Sequence, residues 1–280
     1  MSELIVLGFG SMISHLISQE DFDSRHKVIV TNQSGTTFPK IRNSEFLSYK
    51  EFLNKGVQHN SLLVVGTRLD KLSEITTAKF LSFLESRNFR RIARRDILVL
   101  SSAAVYGNSN LPATEARATN AVNNYGQGKV DLEKYFLETS NLESPTILRI
   151  GNVYAFPGSN DFVEIVKRAI LGKSEIAIPP KVCTRDFVNI NDLAAFFRDW
   201  TSDKSLRSHG IINFCTGESL ELSEVLKIAT AASGLELVIR NTHSEPEISI
   251  SNLSATKLKS IWGRKLAHPR PGIRDYLIKV

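Results

Sequence analysis

The chain has 280 residues, of which 42% are hydrophobic and 23% charged. That apolar content offsets the entropy of ordering the chain and excludes an intrinsically disordered protein. Two cysteines cannot staple so long a chain as a disulfide scaffold. With 35 Lys+Arg against 29 Asp+Glu the net charge is +6, which suits an anionic partner but is also common without one. No apolar run approaches the roughly 18 residues of a membrane-spanning helix. The opening MSELIVLGFG has no basic n-region, so it reads as a first strand and not a signal peptide. The expectation is a cytoplasmic protein with reduced thiols.

In chain order, residues 4–7 predict a strand, and Met12, Ile13, Leu16 and Ile17 then recur with helical spacing. Strands are expected at 27–31, 62–65 and 97–100, with a long helical stretch over 72–93 between the last two. At its end Arg90, Arg91, Arg94 and Arg95 cluster; we read them as positive charge near a helix end, since no aromatic interleaving marks a nucleic-acid patch. A helix over 125–137 and a strand over 146–150 follow. Strand–helix alternation of this kind implies right-handed crossovers and a parallel sheet covered on both faces.

The pattern changes after Gly151. Pro157-Gly158 marks a turn, a helix over 161–171 ends at Gly172 as a C-cap, and Pro179-Pro180 interrupts the chain again. No repeat or flexible linker separates the regions. The expected fold class is α/β: a doubly wound parallel sheet, Rossmann-like, with a smaller, interlocked substrate-binding region. Residues 1–152 and about 183–214 are assigned to a dinucleotide-binding domain, and about 153–182 with 215–280 to the substrate-binding region.

Gly8-Phe9-Gly10-Ser11-Met12-Ile13 joins the first strand to the first helix. Glycine there permits a tight turn and close approach of backbone N–H groups to a pyrophosphate. The third fingerprint position, normally small, is Ile13. At the end of the second strand, where an acid would bind the ribose of NAD, stand Asn32-Gln33-Ser34. The missing carboxylate tilts the expectation from NAD(H) toward NADP(H), with Lys40 or Arg42 as a source of positive charge. Gly8, Gly10, Ser11, Met12, Asn32 and Gly66, at the exit of the 62–65 run, are the candidate cofactor-binding residues.

Tyr125 and Lys129 lie four residues apart, on one face of a helix. An ammonium beside a phenol favours phenolate, and such a phenol exchanges protons with a hydroxyl or carbonyl while hydride moves. A chance surface pair has the same spacing. Ser101-Ser102 closes the strand before it, at the sheet edge where sites form in this architecture.

These segments resemble the extended short-chain dehydrogenase/reductase family, the NAD(P)-dependent epimerase/dehydratase group acting on nucleotide sugars. SSAAVYG (101–107) is similar to its serine segment, and YGQGK (125–129) to its Tyr–Lys segment with the downstream acid Glu133. LRIGNVYAFPG (148–158), RDFVNINDLA (185–194) and INFCTGESLELSEV (212–225) are similar to its later segments and follow in the same order. The resemblance implies Ser102, Tyr125 and Lys129 as catalytic residues, with Lys129 also holding the nicotinamide ribose. It implies Asn152 and Arg185 as contacts to a nucleotide-sugar diphosphate, where an Arg fork suits phosphate. A structural ion pair is the alternative for Arg185-Asp186, and a turn cap for Asn152. It also implies a homodimer.

Similar dehydratases carry an Asp-Glu pair after the serine. Ala103 and Ala104 stand here, and alanine transfers no proton, which argues against 4,6-dehydration. Net reduction of a nucleotide-linked 4-keto-sugar is favoured by the missing acid, the short glycine loop and a length below that of typical epimerases. A nucleotide-sugar 4-epimerase, or a non-catalytic dinucleotide sensor, are the alternatives. The histidines are scattered and Cys183 and Cys215 have no close partner thiol, so no metal site is expected; Cys183 reads as a small packed side chain. No nucleic-acid or membrane partner is expected.

Overall fold

A computed structural model describes residues 2–8, 10–17, 26–32, 44–58, 60–87, 89–138, 143–172, 175–179, 181–241 and 248–279; of Ser2, Ser11, His26, Thr31 and Asn32 only the backbone is described. In chain order the elements are β1 (Ser2–Leu7), α1 (Ser11–Ile17), β2 (His26–Asn32), β3 (Ser44–Ser48), α2 (Tyr49–Lys55), β4 (Leu62–Val65), α3 (Glu74–Leu84), β5 (Ile97–Ser102), β6 (Ser109–Ala113) and α4 (Asn124–Glu138). There follow β7 (Thr146–Ile150), β8 (Asn152–Tyr154), α5 (Phe162–Ile170), β9 (Ile176–Ile178), β10 (Thr184–Asn189), α6 (Ile190–Ser202), β11 (Gly210–Phe214), β12 (Ser219–Glu221), α7 (Leu222–Ser233), β13 (Ile239–Asn241), β14 (Ser251–Leu253), α8 (Thr256–Ile261) and α9 (Pro269–Ile278). They fall into two compact units, residues 1–101, 127–148 and 196–212, and residues 102–126, 149–195 and 213–280.

A seven-stranded sheet has the order β11-β7-β5-β4-β1-β2-β3. The pairs β1–β2, β1–β4, β2–β3 and β4–β5 are parallel and in continuous register. Residues 4–7 and all of β4 are fully buried, as strands covered on both faces must be. From β1 the chain first builds outward through β2 and β3, then returns to β4 and β5 on the other side. The strand order therefore reverses between β1 and β4, and their carboxyl ends flank the crevice where open α/β sheets bind ligands.

The expected helix over 72–93 is shorter: α3 ends at Leu84. Phe83 and Phe89 explain why. A helix advancing about 100° per residue would turn Phe89 about 240° away from Phe83. Instead two 3₁₀ turns at 89–91 and 94–96 bring Phe89 edge-on to Phe83 at 4.8 Å and beside Phe52 at 5.3 Å. The four arginines sit on these turns, not in the last turn of α3, so the helix-end reading of that cluster is corrected. Arg95 meets Glu143 at 2.9 Å instead. Strand β3 and helix α2 lie outside the elements expected from the sequence. Ser48 caps α2 by accepting from Glu51 N while Glu51 reaches back to Ser48 N, a reciprocal capping box.

The second unit carries three small sheets, β12-β10-β8, β13-β9 and β14-β6. Its core gathers Tyr154, Val163, Val166, Phe187, Leu220, Val225 and Ile273. Cys183 is buried in this core and its thiol is pushed up by burial. Pro180, expected to break the chain, lies outside the described residues. Among the described residues no helix is long and apolar enough to cross a membrane.

Candidate active site

At the end of β1 the backbone turns through Gly8 with φ +76°, a left-handed conformation that L side chains rarely adopt. A Cβ on Gly8 would also fall 2.5 Å from Thr67 N and Cα, so Thr67, two residues beyond β4, presses directly on the turn. Gly66 N donates to Leu7 O at 2.8 Å, extending the β1–β4 ladder beyond the strands. A Cβ on Gly66 would meet Ile13 Cδ1 at 2.3 Å and Gly8 O at 3.3 Å. This resolves the odd third position of the fingerprint: the close helix–strand approach that a small residue on α1 normally permits is supplied here by Gly66 on the facing strand exit. Gly10 is exposed, with open space where its Cβ would be, and its carbonyl accepts from Ser14 N at 2.9 Å to start α1. Met12 is half-buried. Asn32 ends β2 opposite Ser48. Its side chain, with Gln33, Ser34, Lys40 and Arg42, lies outside what is described.

On the same edge of this unit, Lys129 is buried to 5% exposure and donates to Leu100 O at 2.8 Å and Thr67 O at 3.2 Å. Desolvation, and secondarily the charge of Arg68, pull its ammonium down to about 8. Arg68 in turn forks onto Asp70, Nε to Oδ1 at 3.0 Å and Nη2 to Oδ2 at 2.5 Å, holding that carboxyl below its usual range. Gly128 lets α4 approach this turn, since its Cβ would lie 3.0 Å from Asp70 N. One turn further along α4, Glu133 is 3% exposed and accepts from Ser101 Oγ at 2.5 Å. The sequence placed Lys129, Ser101 and Glu133 but offered no reason to pair Ser101 with Glu133 or to single out Asp70.

In the second unit, Ser102 ends β5 in extended conformation and its Oγ accepts from Ala104 N at 3.2 Å, starting the 3₁₀ turn 103–106. That turn is held by Tyr106, whose hydroxyl donates to Asn213 Oδ1 at 2.7 Å, with the Arg149 guanidinium 4.7 Å over its ring. Tyr125 is half-buried in the first turn of α4. Asn123 Oδ1 accepts from Gly126 N at 2.8 Å there, and a Cβ on Gly126 would lie 2.7 Å from Ala104 O. Glycine thus brings the start of α4 onto the turn that follows Ser102.

Asn152 is half-buried on β8, opposite Phe187 of β10. Arg185 and Asp186, neighbours on β10, face separate partners. Arg185 donates through Nη1 to Thr184 O at 2.8 Å and Ser249 O at 3.2 Å, and through Nη2 to Ile248 O at 2.6 Å. Asp186 is fully buried and accepts from Thr216 N at 2.8 Å, Thr216 Oγ1 at 2.9 Å and Gly217 N at 2.8 Å. Burial nevertheless raises its carboxyl to about 6.

Residues 75–213 match the family described as NAD dependent epimerase/dehydratase. No curated protein matches the chain. Among solved structures it is similar to a UDP-glucose 4-epimerase of Thermus thermophilus in complex with NAD, at TM-score 0.75 and 20% identity over 99% of each chain. It is also similar to a UDP-glucose 4-epimerase of Thermotoga maritima with UDP-glucose, at TM-score 0.76 and 18% identity over 98% of this chain and 97% of that one. A putative epimerase of Burkholderia cenocepacia gives TM-score 0.77 and 18% identity over 100% and 99%. These likenesses show a shared Rossmann-like fold.

Proposed function

We propose, from the match of residues 75–213 to the NAD dependent epimerase/dehydratase family, that this NAD(P)-dependent enzyme moves hydride at C4 of a nucleotide-linked sugar, reducing a 4-keto group. The observation that carries the reading is the seat of Lys129: a buried ammonium held on Thr67 O and Leu100 O, one helical turn from Tyr125. The residues fit a dinucleotide. Gly8 and Gly66 admit no Cβ, Gly10 leaves open space, and Thr67 Oγ1 is buried without a hydrogen-bond partner among the described residues. A bound nicotinamide supplies the hydride. Tyr125 gives its phenolic proton to the sugar oxygen and is recharged beside Lys129. Ser102 orients that oxygen; its Oγ accepts from Ala104 N and keeps its own proton to donate. Asn152 and Arg185 serve the diphosphate, and two copies of the chain form a homodimer. Ala103 and Ala104 supply neither acid nor base for loss of water across C5–C6.

The absence of an acid at Asn32-Gln33-Ser34 supports exchangeable NADP(H) over NAD(H). A second reading, 4-epimerisation with retained NAD, is favoured by the two UDP-glucose 4-epimerases among the similar structures. Cofactor analysis separates them. Protein purified without bound cofactor that oxidises NADPH on addition of a nucleotide-linked 4-keto-6-deoxyhexose supports the reductase, and stoichiometric NAD released on denaturation supports the epimerase. Tyr125→Phe should abolish turnover and leave cofactor affinity unchanged; near-normal turnover refutes its role.

A further inference from the structure

Leu100 and Ser101 are consecutive at the end of β5, and α4 is fastened to both. Lys129 Nζ donates to Leu100 O at 2.8 Å, and Ser101 Oγ donates to Glu133 Oε1 at 2.5 Å. Lys129 and Glu133 stand one turn apart on the helix and are 5% and 3% exposed. The proposed reaction uses Lys129 and gives Glu133 no task, yet a carboxylate is rarely buried without one.

We propose that Glu133, anchored by Ser101, is a positioning residue whose carboxylate keeps Lys129 charged and seated on the carbonyls of Leu100 and Thr67. The proposal rests on the reading of Lys129 as the partner of Tyr125. The charged groups that act on Lys129 come from two elements: Arg68 and Asp70 beyond β4, and Glu133 on α4 itself; β5 contributes the Leu100 carbonyl. Arg68 and Asp70 form a bidentate pair with each other and act on Lys129 in opposite senses. Glu133 adds a negative charge from the helix itself that opposes the desolvation of the ammonium. Its hydrogen bond from Ser101 fixes it to the residue next to the one whose carbonyl receives Lys129. A two-point attachment of this kind also fixes the register of residues 129–133 of α4 along β5.

The test is the titration of Lys129 in the free protein, read as pH-dependent acetylation by acetic anhydride and quantified on the Lys129 peptide by mass spectrometry. Glu133→Gln keeps an acceptor for Ser101 and removes the charge. Its Lys129 midpoint should fall by about one unit, and the midpoint in Glu133→Asp should lie closer to the native one. If Glu133→Gln does not fold, Glu133→Met fills the same volume without charge and carries the same expectation. A midpoint unchanged in a folded, uncharged variant overturns the proposal, even where thermal stability falls, because a purely structural Glu133 would change stability alone. The measurement needs neither cofactor nor substrate. A null result leaves the oxidoreductase reading intact, and a shifted midpoint in a protein inactive on nucleotide sugars sinks that reading alone.

Discussion

The contact between Gly66 and Ile13 makes a double-mutant cycle the sharpest test of how the glycine turn is built. Gly66→Ala places a Cβ 2.3 Å from Ile13 Cδ1, 3.3 Å from Gly8 O and 3.4 Å from Ile13 Cγ1. Only the first distance is prohibitive, and overpacking of this kind costs about 1–3 kcal/mol. Ile13→Val removes that Cδ1 and nothing else, so alone it should cost about 1 kcal/mol as a lost buried methyl. In the double variant the new Cβ occupies the volume the Cδ1 vacated. What remains is the tight approach to Gly8 O, offset in part by the reduced freedom of alanine in the unfolded chain. The double variant should therefore lie within about 1 kcal/mol of the native protein, where additivity gives about 3 kcal/mol, a coupling of about 2 kcal/mol. Urea unfolding of the four proteins, compared at equal slope, reads the coupling directly. Additive losses would show that Ile13 does not take its space from Gly66.

Other perturbations probe the same framework. Lys129 has its folded-state value lowered from 10.5 to about 8. Below pH 8 both states are protonated and the burial cost is fully present; above 10.5 both are neutral and it is gone. Relative to Lys129→Met, the native protein should therefore gain about 3 kcal/mol between those limits, measured by denaturation across pH, and a flat difference refutes the shift. Asp186→Ala orphans the Thr216 and Gly217 amides and should cost about 3 kcal/mol by the same method. Ala155 adopts φ +61°, where a side chain costs about 1–2 kcal/mol; Ala155→Gly should raise the midpoint of thermal unfolding, and a fall would locate compensating contacts at its methyl.

Much of the sheet is legible because parallel strands buried on both faces are unbroken apolar runs, as at 4–7, 62–65 and 97–100. Strand β3 is different: its residues are half-buried throughout, so SEFLS carries neither a continuous run nor a clean alternation. The helix over 72–93 overshot because periodicity records which residues are apolar and not which cluster they must join; Phe89 leaves the helix to reach Phe52 and Phe83. The misfit at Ile13 is visible in the sequence, but its remedy at Gly66 is not, since the two meet only across the β1–β4 pair. Ala155 adopts a positive φ without being glycine, and nothing in its residue type announces that conformation. The bond that Ser101 gives Glu133 is likewise invisible, because nothing in the spacing of residues 101 and 133 pairs them.

Arg185 shows how one side chain can satisfy two readings. From the motif it belongs to a diphosphate; in the fold it fastens 248–249 to β10. A guanidinium carries five N–H groups. Three of them go to the carbonyls of Thr184, Ser249 and Ile248, which leaves Nε–H and one Nη2–H without a partner among the described residues. The carbonyls stabilise the cation only as dipoles, and burial lowers its pKa from the usual arginine value, so its positive charge is not neutralised within these contacts. An anion meeting the two remaining donors would therefore add a charge–charge interaction without breaking the fastening. Anchoring of the strand and binding of an anion would draw on different N–H groups, and the carbonyls that hold the fork in place would also fix the direction of an anion's approach.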